Sequence, residues 1–369
     1  VPSLLNDTHP GKRAGESVLI IGASLSGLMT GLALARAGLT VTILERVGPE
    51  PRSGAALQVD GGDIDRTATA KYLRTLTSGG IRSIEAWSSV QSRLLKEIQA
   101  NPAIKIYFNK RIQTVSQDAK SASVITDKGE TYYGDILIGA DGHRSIVRQQ
   151  VAPHKPNSTF AGYLIWVAIV DETNIQKNHR PDLHASVSMP EGIGDFLLGS
   201  VIAGQDGSRV LGKRRLGWAW YDNTRNDLLR KTGCLKGTVV QHSLTGPDIP
   251  ENTLKELAKQ ATARWPQPWL DATLHSIKTK DLTAIPISEY IPDKLVNGRM
   301  ALVGDAAHAI TPITASGFNA SLKDAASLAD CISEETEIED ALLKYESERL
   351  NNVRQAVQSG QSFSKSFGR

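Results

Sequence analysis

At 369 residues the chain is too long for one domain of the usual ~150 residues, and two domains are expected. Hydrophobic residues at 40% and charged residues at 22% are ordinary globular proportions and exclude a disordered chain. A net charge of +3, from 42 basic and 39 acidic residues scattered without long runs, leaves no electrostatic footprint for nucleic acid, so a small-molecule partner is expected.

Residues 1–15 are polar and read as a loose tail rather than a signal peptide. Val18-Leu19-Ile20-Ile21 follows, a short apolar run bounded by Gly22, the pattern of a parallel strand buried on both faces. Leu25, Leu28, Leu32 and Ala35 recur at helical spacing up to Gly38, and Thr40 to Leu44 gives a second strand that ends at Glu45. Val18 to Gly38 is the most apolar segment, but Gly, Ser, Thr and Arg36 interrupt it, so no membrane span is expected. Strands are predicted at Ile104 to Phe108, Gln113 to Val115, Ser123 to Thr126 and Thr131 to Ile138, with Asp127-Lys128-Gly129 as a turn.

From about Ser158 to Leu282 the pattern changes to alternating, aromatic-rich stretches, such as Tyr163 to Val170 and Leu216 to Tyr221, which predict an antiparallel sheet. A helix is predicted from Glu251 to Trp265, between Pro250 and Pro266. Strand character returns at Arg299 to Val303. Ile338 to Phe363 places Leu342, Tyr345, Val353 and Ala356 on one face of an amphipathic helix. The expected organisation is an α/β unit over 16–155 and 283–335, an antiparallel-sheet unit over 156–282 and a C-terminal helix over 336–369. Cys234 and Cys331 are too few and too far apart for a disulfide scaffold or a zinc site; no metal is expected, and a reducing cytoplasm fits.

The first βα turn reads Gly22-Ala23-Ser24-Leu25-Ser26-Gly27, a dinucleotide fingerprint with Ser24 in place of the second glycine. Gly22 permits the tight turn and Gly27 close helix–strand packing, while the helix N-terminus offers unpaired N–H groups to a pyrophosphate. Glu45, followed by Arg46, ends the second strand where a carboxylate accepts hydrogen bonds from the adenosine ribose. Gly304-Asp305-Ala306-Ala307-His308 follows another strand, then come Thr311-Pro312 and Ala315-Ser316-Gly317-Phe318-Asn319 at the start of a helix. Between them lies Gly139-Ala140-Asp141-Gly142-His143-Arg144-Ser145, with Arg148 after it.

These three motifs, in this order, resemble those of the single-component FAD-dependent aromatic hydroxylases of the p-hydroxybenzoate hydroxylase fold. The resemblance implies a Rossmann-like, GR2-type FAD-binding domain, in which Asp305 binds the ribityl chain. The helix N-terminus at Ser316, Gly317, Phe318 and Asn319 then faces the flavin pyrimidine ring, and Pro312 lies against the isoalloxazine. Asp141 and Gly142 match the motif associated with FAD and pyridine nucleotide. Phe160 to Trp166, Leu216 to Tyr221, and Tyr345-Glu346 with Arg349 are similar to the 2,6-dihydroxypyridine 3-hydroxylase branch. Val167 departs from it, as does the motif after Thr311, and the stretch between Leu57 and Trp87 is short.

The resemblance implies that NAD(P)H docks transiently and reduces FAD, that O2 adds at flavin C4a, and that the hydroperoxide oxidises an electron-rich aromatic or N-heteroaromatic ring. Gly192-Ile193-Gly194 is not a second fingerprint, so no separate NAD(P)H domain is expected. Alternation places Trp218 and Trp220 on one face of their strand and Tyr221 with Ala219 on the other. Trp220 and Tyr221, with His184 and His242 in the sheet unit, are the catalytic candidates, and His308 reads as a loop-orienting residue rather than a base. Rival readings are a flavin-dependent halogenase, from Gly217-Trp218-Ala219-Trp220, a two-electron reductase, and a non-catalytic flavin-binding redox sensor; a homodimer is compatible with each.

Overall fold

Runs of apolar residues with no polar alternation can only be buried on both sides, and here they line up in one sheet. In the computed structural model, Met300–Leu302, Ile136–Gly139, Ser17–Ile21, Thr40–Leu44 and Ile104–Tyr107 lie side by side in parallel, with Val296–Asn297 as an antiparallel edge. The structure describes residues 15–50, 55–60, 65–78, 82–189 and 195–368. Almost all of the expected N-terminal tail, and Gly192-Ile193-Gly194, lie outside them. The helix Leu25–Arg36 is buried from Leu25 to Leu34 and shares the sheet's core with the helices Trp87–Ala100 and Gly317–Glu334.

Thr131 to Ile138 is two strands rather than one. Thr131–Gly134 closes a three-stranded antiparallel sheet with Ala122–Thr126 and Ile112–Gln117, whereas Ile136–Gly139 joins the parallel sheet. The switch occurs at Asp135, whose carboxylate accepts the Ser17 N–H at 2.7 Å and its hydroxyl at 2.9 Å. The helix Ala68–Ser78 lies within the short stretch between Leu57 and Trp87, and the helix Trp87–Ala100 follows it.

The second large sheet is antiparallel, in the order Ser186–Met189, Asp195–Ile202, Arg215–Asp222, Thr159–Asp171, Thr283–Glu289 and Leu244–Thr245. Thr283–Glu289 therefore belongs to this sheet, and the chain returns to the parallel sheet only afterwards. Leu164, Trp166, Leu197, Trp218 and Trp220 form one apolar face, covered by the helices Glu251–Arg264 and Trp269–Thr279. The second helix was not expected. Its buried residues Trp269, Ala272, Thr273, Ser276 and Ile277 do repeat at helical spacing, but Pro266 and Pro268 stand directly before them. A Cβ on Gly199 would come within 2.6 Å of the Trp269 ring, so glycine lets this helix lie flat on the sheet.

The terminal helix, Ile338–Phe367, buries Leu342, Tyr345 and Val353 as expected; Val357, not Ala356, continues the buried stripe. No helix among the described residues is long and apolar enough to cross a membrane.

Candidate active site

Four neighbouring parallel strands end in the four motif positions: Leu302 before Gly304-Asp305, Gly139 before Asp141, Ile21 before Gly22, and Leu44 before Glu45. The carboxyl edge of such a sheet is where ligands bind. Gly22 has φ +104°, and a Cβ there would sit 2.4 Å from the Ala140 carbonyl oxygen; a Cβ on Gly27 would sit 1.9 Å from that of Gly22. Ser24 leads the helix without a side-chain cap, so the N–H groups of Leu25, Ser26 and Gly27 are at the open helix end. Glu45 is buried and does more than the sequence foretold. Its Oε2 accepts the Ala23 N–H at 2.7 Å and its Oε1 the Val47 N–H at 3.0 Å, so it pins the fingerprint turn from the neighbouring strand. Arg46 is exposed beside it, within electrostatic range of His143.

Asp141 Oδ2 accepts the Ile146 N–H at 2.7 Å and the Val147 N–H at 3.4 Å, and Ser145 accepts the Arg148 N–H at 2.9 Å; together they cap the helix Ile146–Val151. Asp141 Oδ1 is buried without a partner, and burial raises the carboxyl above its ordinary value. A raised folded-state value means that the native protein binds the extra proton, so this group's contribution to stability falls as pH rises above the ordinary carboxylate range. Asp141→Asn removes that part of the pH dependence; apo-protein urea midpoints at pH 5 and pH 8 compare the two, and an unaltered slope refutes the assignment.

Arg148 is fully buried and ties two motifs together. It donates to the carbonyls of His143, Pro156 (2.8 Å), Asp305 (3.4 Å) and Ala306 (3.0 Å), and its guanidinium lies 4.3 Å from the Tyr290 ring centroid. Gly304 has φ +58°, and a Cβ would meet the Ser26 Cβ at 2.6 Å, which brings the Gly-Asp turn against the fingerprint helix. The Gly304 N–H donates to Asp324 Oδ2 at 3.0 Å. Asp324 is wholly buried between His308, 2.5 Å from Oδ2, and Arg349, 2.8 Å from Oδ1; burial raises the carboxyl, but these two partners outweigh it and hold the group below its usual range. His308 is thus an orienting group. Asp305 alone in this turn is exposed, while Gly304, Ala306 and Ala307 are buried.

After Thr311 the chain makes a 3-10 turn, Pro312–Thr314, with Pro312 exposed. Ala315 then adopts φ +51°, a left-handed conformation that costs an L-residue roughly 1–2 kcal/mol. Ala315→Gly should raise the urea-unfolding stability by about 0.5–1 kcal/mol, since glycine's extra chain entropy offsets part of the relief; a loss would contradict it. Ser316 shares a 2.7 Å hydrogen bond with Thr314, and the helix from Gly317 starts without a side-chain cap. A Cβ at Gly317 would meet nothing within 4 Å, so space lies open there. Phe318 packs on the main core, and Asn319 Oδ1 accepts from Arg74 at 2.8 Å, itself paired with Asp65.

The catalytic candidates separate. Trp220 lies on the helix-covered face, 1% exposed, with Nε1 3.0 Å from Asp195 and its ring edge-on to Trp265; it is core, not site. Asp222, two residues farther along the strand, accepts from Trp166 Nε1 at 3.1 Å. His184 and His242 are exposed, and His242 Nδ1 lies 3.0 Å from the Ser243 carbonyl. Tyr221 stacks on Phe196 at 4.5 Å, beside Tyr163, Phe363 and Phe367. Burial raises its phenol well above the usual range and pushes that of Tyr163 up to about 12, so neither is a base near neutrality. Sequence reasoning missed Asp324, which has no motif of its own and acts only through folding contacts.

A dinucleotide with a polyhydroxyl linker fits this edge. It would find the free N–H groups of the fingerprint helix, the unpartnered Asp141 oxygen, the exposed Asp305 carboxylate and the open space before Gly317. The model of the FAD binding domain family matches residues 16–62 and 61–360. Aurachin C monooxygenase/isomerase of Stigmatella aurantiaca is 26% identical over 94% of this chain and 88% of its own. The 2,6-dihydroxypyridine 3-monooxygenase of Paenarthrobacter nicotinovorans is 23% identical over 91% and 87%. The solved structure of 2,6-dihydroxypyridine-3-hydroxylase from Arthrobacter nicotinovorans superposes with a TM-score of 0.72 at 19% identity, covering 96% of this chain and 94% of that one. On the family match and the row of four strand ends, the chain belongs to the FAD binding domain family and is a flavoprotein monooxygenase.

Proposed function

We propose that the protein is an NAD(P)H-consuming monooxygenase that hydroxylates an electron-rich aromatic or N-heteroaromatic small molecule. The observation that carries this reading is the second face of the antiparallel sheet. Tyr163, Ile165, Val167, Phe196, Tyr221 and Ile287 form an apolar, aromatic surface packed against Ile313 of the Pro312 turn. Bound FAD supplies the redox chemistry and the activated oxygen. The protein's part is to bring a flat ring to the Pro312 turn, to exclude water with the apolar face, and to orient the ring.

Tyr221 makes no hydrogen bond among the described residues, and its high-lying phenol stays protonated, so its role here is donor to a substrate oxygen. Tyr221→Phe should therefore raise KM and leave the pH profile of kcat unmoved; loss of a limb of that profile would make Tyr221 an acid or base after all. With the phenols of Tyr221 and Tyr163 protonated near neutrality, this reading leaves activation to a ring that is already electron-rich. The reading takes 16–155 with the segment after Glu289 as the cofactor unit and the antiparallel sheet as the substrate unit, supported by their separate cores. A reducing cytoplasm is supported by Cys234 and Cys331, both buried and free.

The test is an anaerobic reduction with NADH or NADPH, followed by labelled O2 and a panel of hydroxypyridines, phenols and bicyclic heteroaromatics. Label must enter a ring. Oxygen-independent turnover would indicate a reductase, a halide-dependent product a halogenase, and NAD(P)H oxidation indifferent to every aromatic a sensor. Asp305→Ala should weaken FAD retention on gel filtration about tenfold or more, the worth of a charge-assisted hydrogen bond; unchanged retention would remove Asp305 from the cofactor site.

A further inference from the structure

The aromatic end of the sheet face that carries Tyr221 is already covered. Tyr163, Phe196 and Tyr221 are 0%, 6% and 3% exposed, so no ring can lie on them until something leaves. Among the described residues, their aromatic cover comes from the end of the chain. Phe363 and Phe367, one turn apart on the helix Ile338–Phe367, stack on each other with ring centroids 5.1 Å apart. Both meet Tyr163, Phe196 and Tyr221 edge-on, at centroid distances between 5.2 and 6.5 Å. Two phenyl side chains of the protein itself thus sit on the surface where the hydroxylase reading places the ring of a substrate.

The sequence of these last turns does not favour a helix by itself. Ser359, Gly360, Ser362, Phe363, Ser364, Ser366 and Phe367 are poor helix formers, and only Gln361 and Lys365 are good ones. Docking therefore holds the helix here. Gly360 lies against the Pro312 turn, where a Cβ would come within 2.3 Å of Thr311 Cγ2, and Gly368 backs onto the sheet, where a Cβ would be 2.2 Å from the Ala161 carbonyl oxygen. Ser364 Oγ donates to Glu289 Oε1 at 2.5 Å, and Asn223 Nδ2 donates to the Phe367 carbonyl at 2.5 Å. The body of the helix is fastened separately, by Tyr345 and Val353 in the main core and by Arg349 on Asp324. The tip can leave without unseating the rest, as a local opening at the low-stability end of an element.

We propose that residues 361–367 are a displaceable cover: Phe363 and Phe367 hold the place of an aromatic ring on this face and yield it when one binds. The proposal rests on the reading that puts the substrate ring on the Tyr221 face. A closed cover lowers the apparent affinity in proportion to the fraction of molecules that are open. Hydrogen exchange on the unmodified FAD-loaded protein, with and without saturating phenol or 2-hydroxypyridine, tests it. The amides of residues 361–368 should exchange at least tenfold faster with a ring bound, while those of the helix body stay unchanged. Asn223→Ala combined with Ser364→Ala cuts both hydrogen bonds but keeps both phenyl rings, so no cavity of ring size is made, and it should bind the same rings several-fold tighter. Ser364→Ala alone, which leaves the buried Asn223 in place, is the milder form of the same test. Tip amides that exchange more slowly or at the same rate with a ring bound, unlatched variants that bind no tighter than the parent, or failure of both rings to bind those variants would each overturn the proposal. Release of the tip by a bound ring in a protein that never transfers labelled oxygen to a ring would leave the cover standing and refute the hydroxylase reading alone; oxygen transfer with an unmoved tip would do the reverse.

Discussion

Asp324→Ala should destabilise the apo-protein by about 3–5 kcal/mol, because it strands the buried Arg349 guanidinium and leaves His308 Nε2 and the Gly304 N–H without their shared acceptor. The carboxylate has three tasks at once. It orients His308, closes the Gly-Asp turn and, through Arg349, fastens the terminal helix to the flavin-side helix Gly317–Glu334. Asp324→Asn keeps the shape and loses the charge, so an intermediate loss is expected. The urea midpoint of the apo-protein measures both. A midpoint unchanged in the alanine variant would mean that the triad carries no weight. FAD retention should fall in parallel, since Asp305 sits in this turn, which the Arg148 bonds to the carbonyls of Asp305 and Ala306 also hold.

Gly22→Val should reduce FAD affinity at least a hundredfold, which corresponds to about 2.7 kcal/mol. At φ +104° a branched residue is strained, and the Cβ would be 2.4 Å from a backbone oxygen that cannot move without shifting the Ala140-Asp141 turn. Two motifs would be displaced together. Gly142→Ala is the control: it also has positive φ, +78°, but nothing lies within 4 Å of its Cβ, so a cost of only about 1 kcal/mol is expected. Flavin fluorescence on titration of the apo-proteins reads both affinities. Equal losses in the two variants would show that φ alone matters, not the contact with Ala140.

The parallel sheet, the fingerprint helix and the alternation of Trp220 against Tyr221 could be read from residue order because they depend on local periodicity. Apolar runs, helical spacing and the two-residue repeat of a strand are written along the chain. The same holds for the sequence of motifs at Gly22, Asp141 and Asp305. Local pattern has limits, however. Thr131 to Ile138 looks like one strand because the break at Asp135 is made by a hydrogen bond from Ser17, over a hundred residues away in the chain. The helix Trp269–Thr279 was hidden by the two prolines directly before it, and Glu45 and Asp141 read as ligands of a cofactor while also acting as ties of the fold.

What the sequence by itself determined, then, is the cofactor edge: strand ends, the glycines that let backbones touch, and an acid at each expected place. Only the tertiary structure decided which charges are buried together and what each face of the antiparallel sheet packs against. Asp324 meets His308 and Arg349 across two helices, while Trp220 lies on the helix-covered face of the antiparallel sheet and Tyr221 on the opposite face with Phe196 and Tyr163. The physical reason is that periodicity specifies an element's own faces, whereas the energy of a buried charge is set by partners from distant segments, and those partners exist only once the chain has folded.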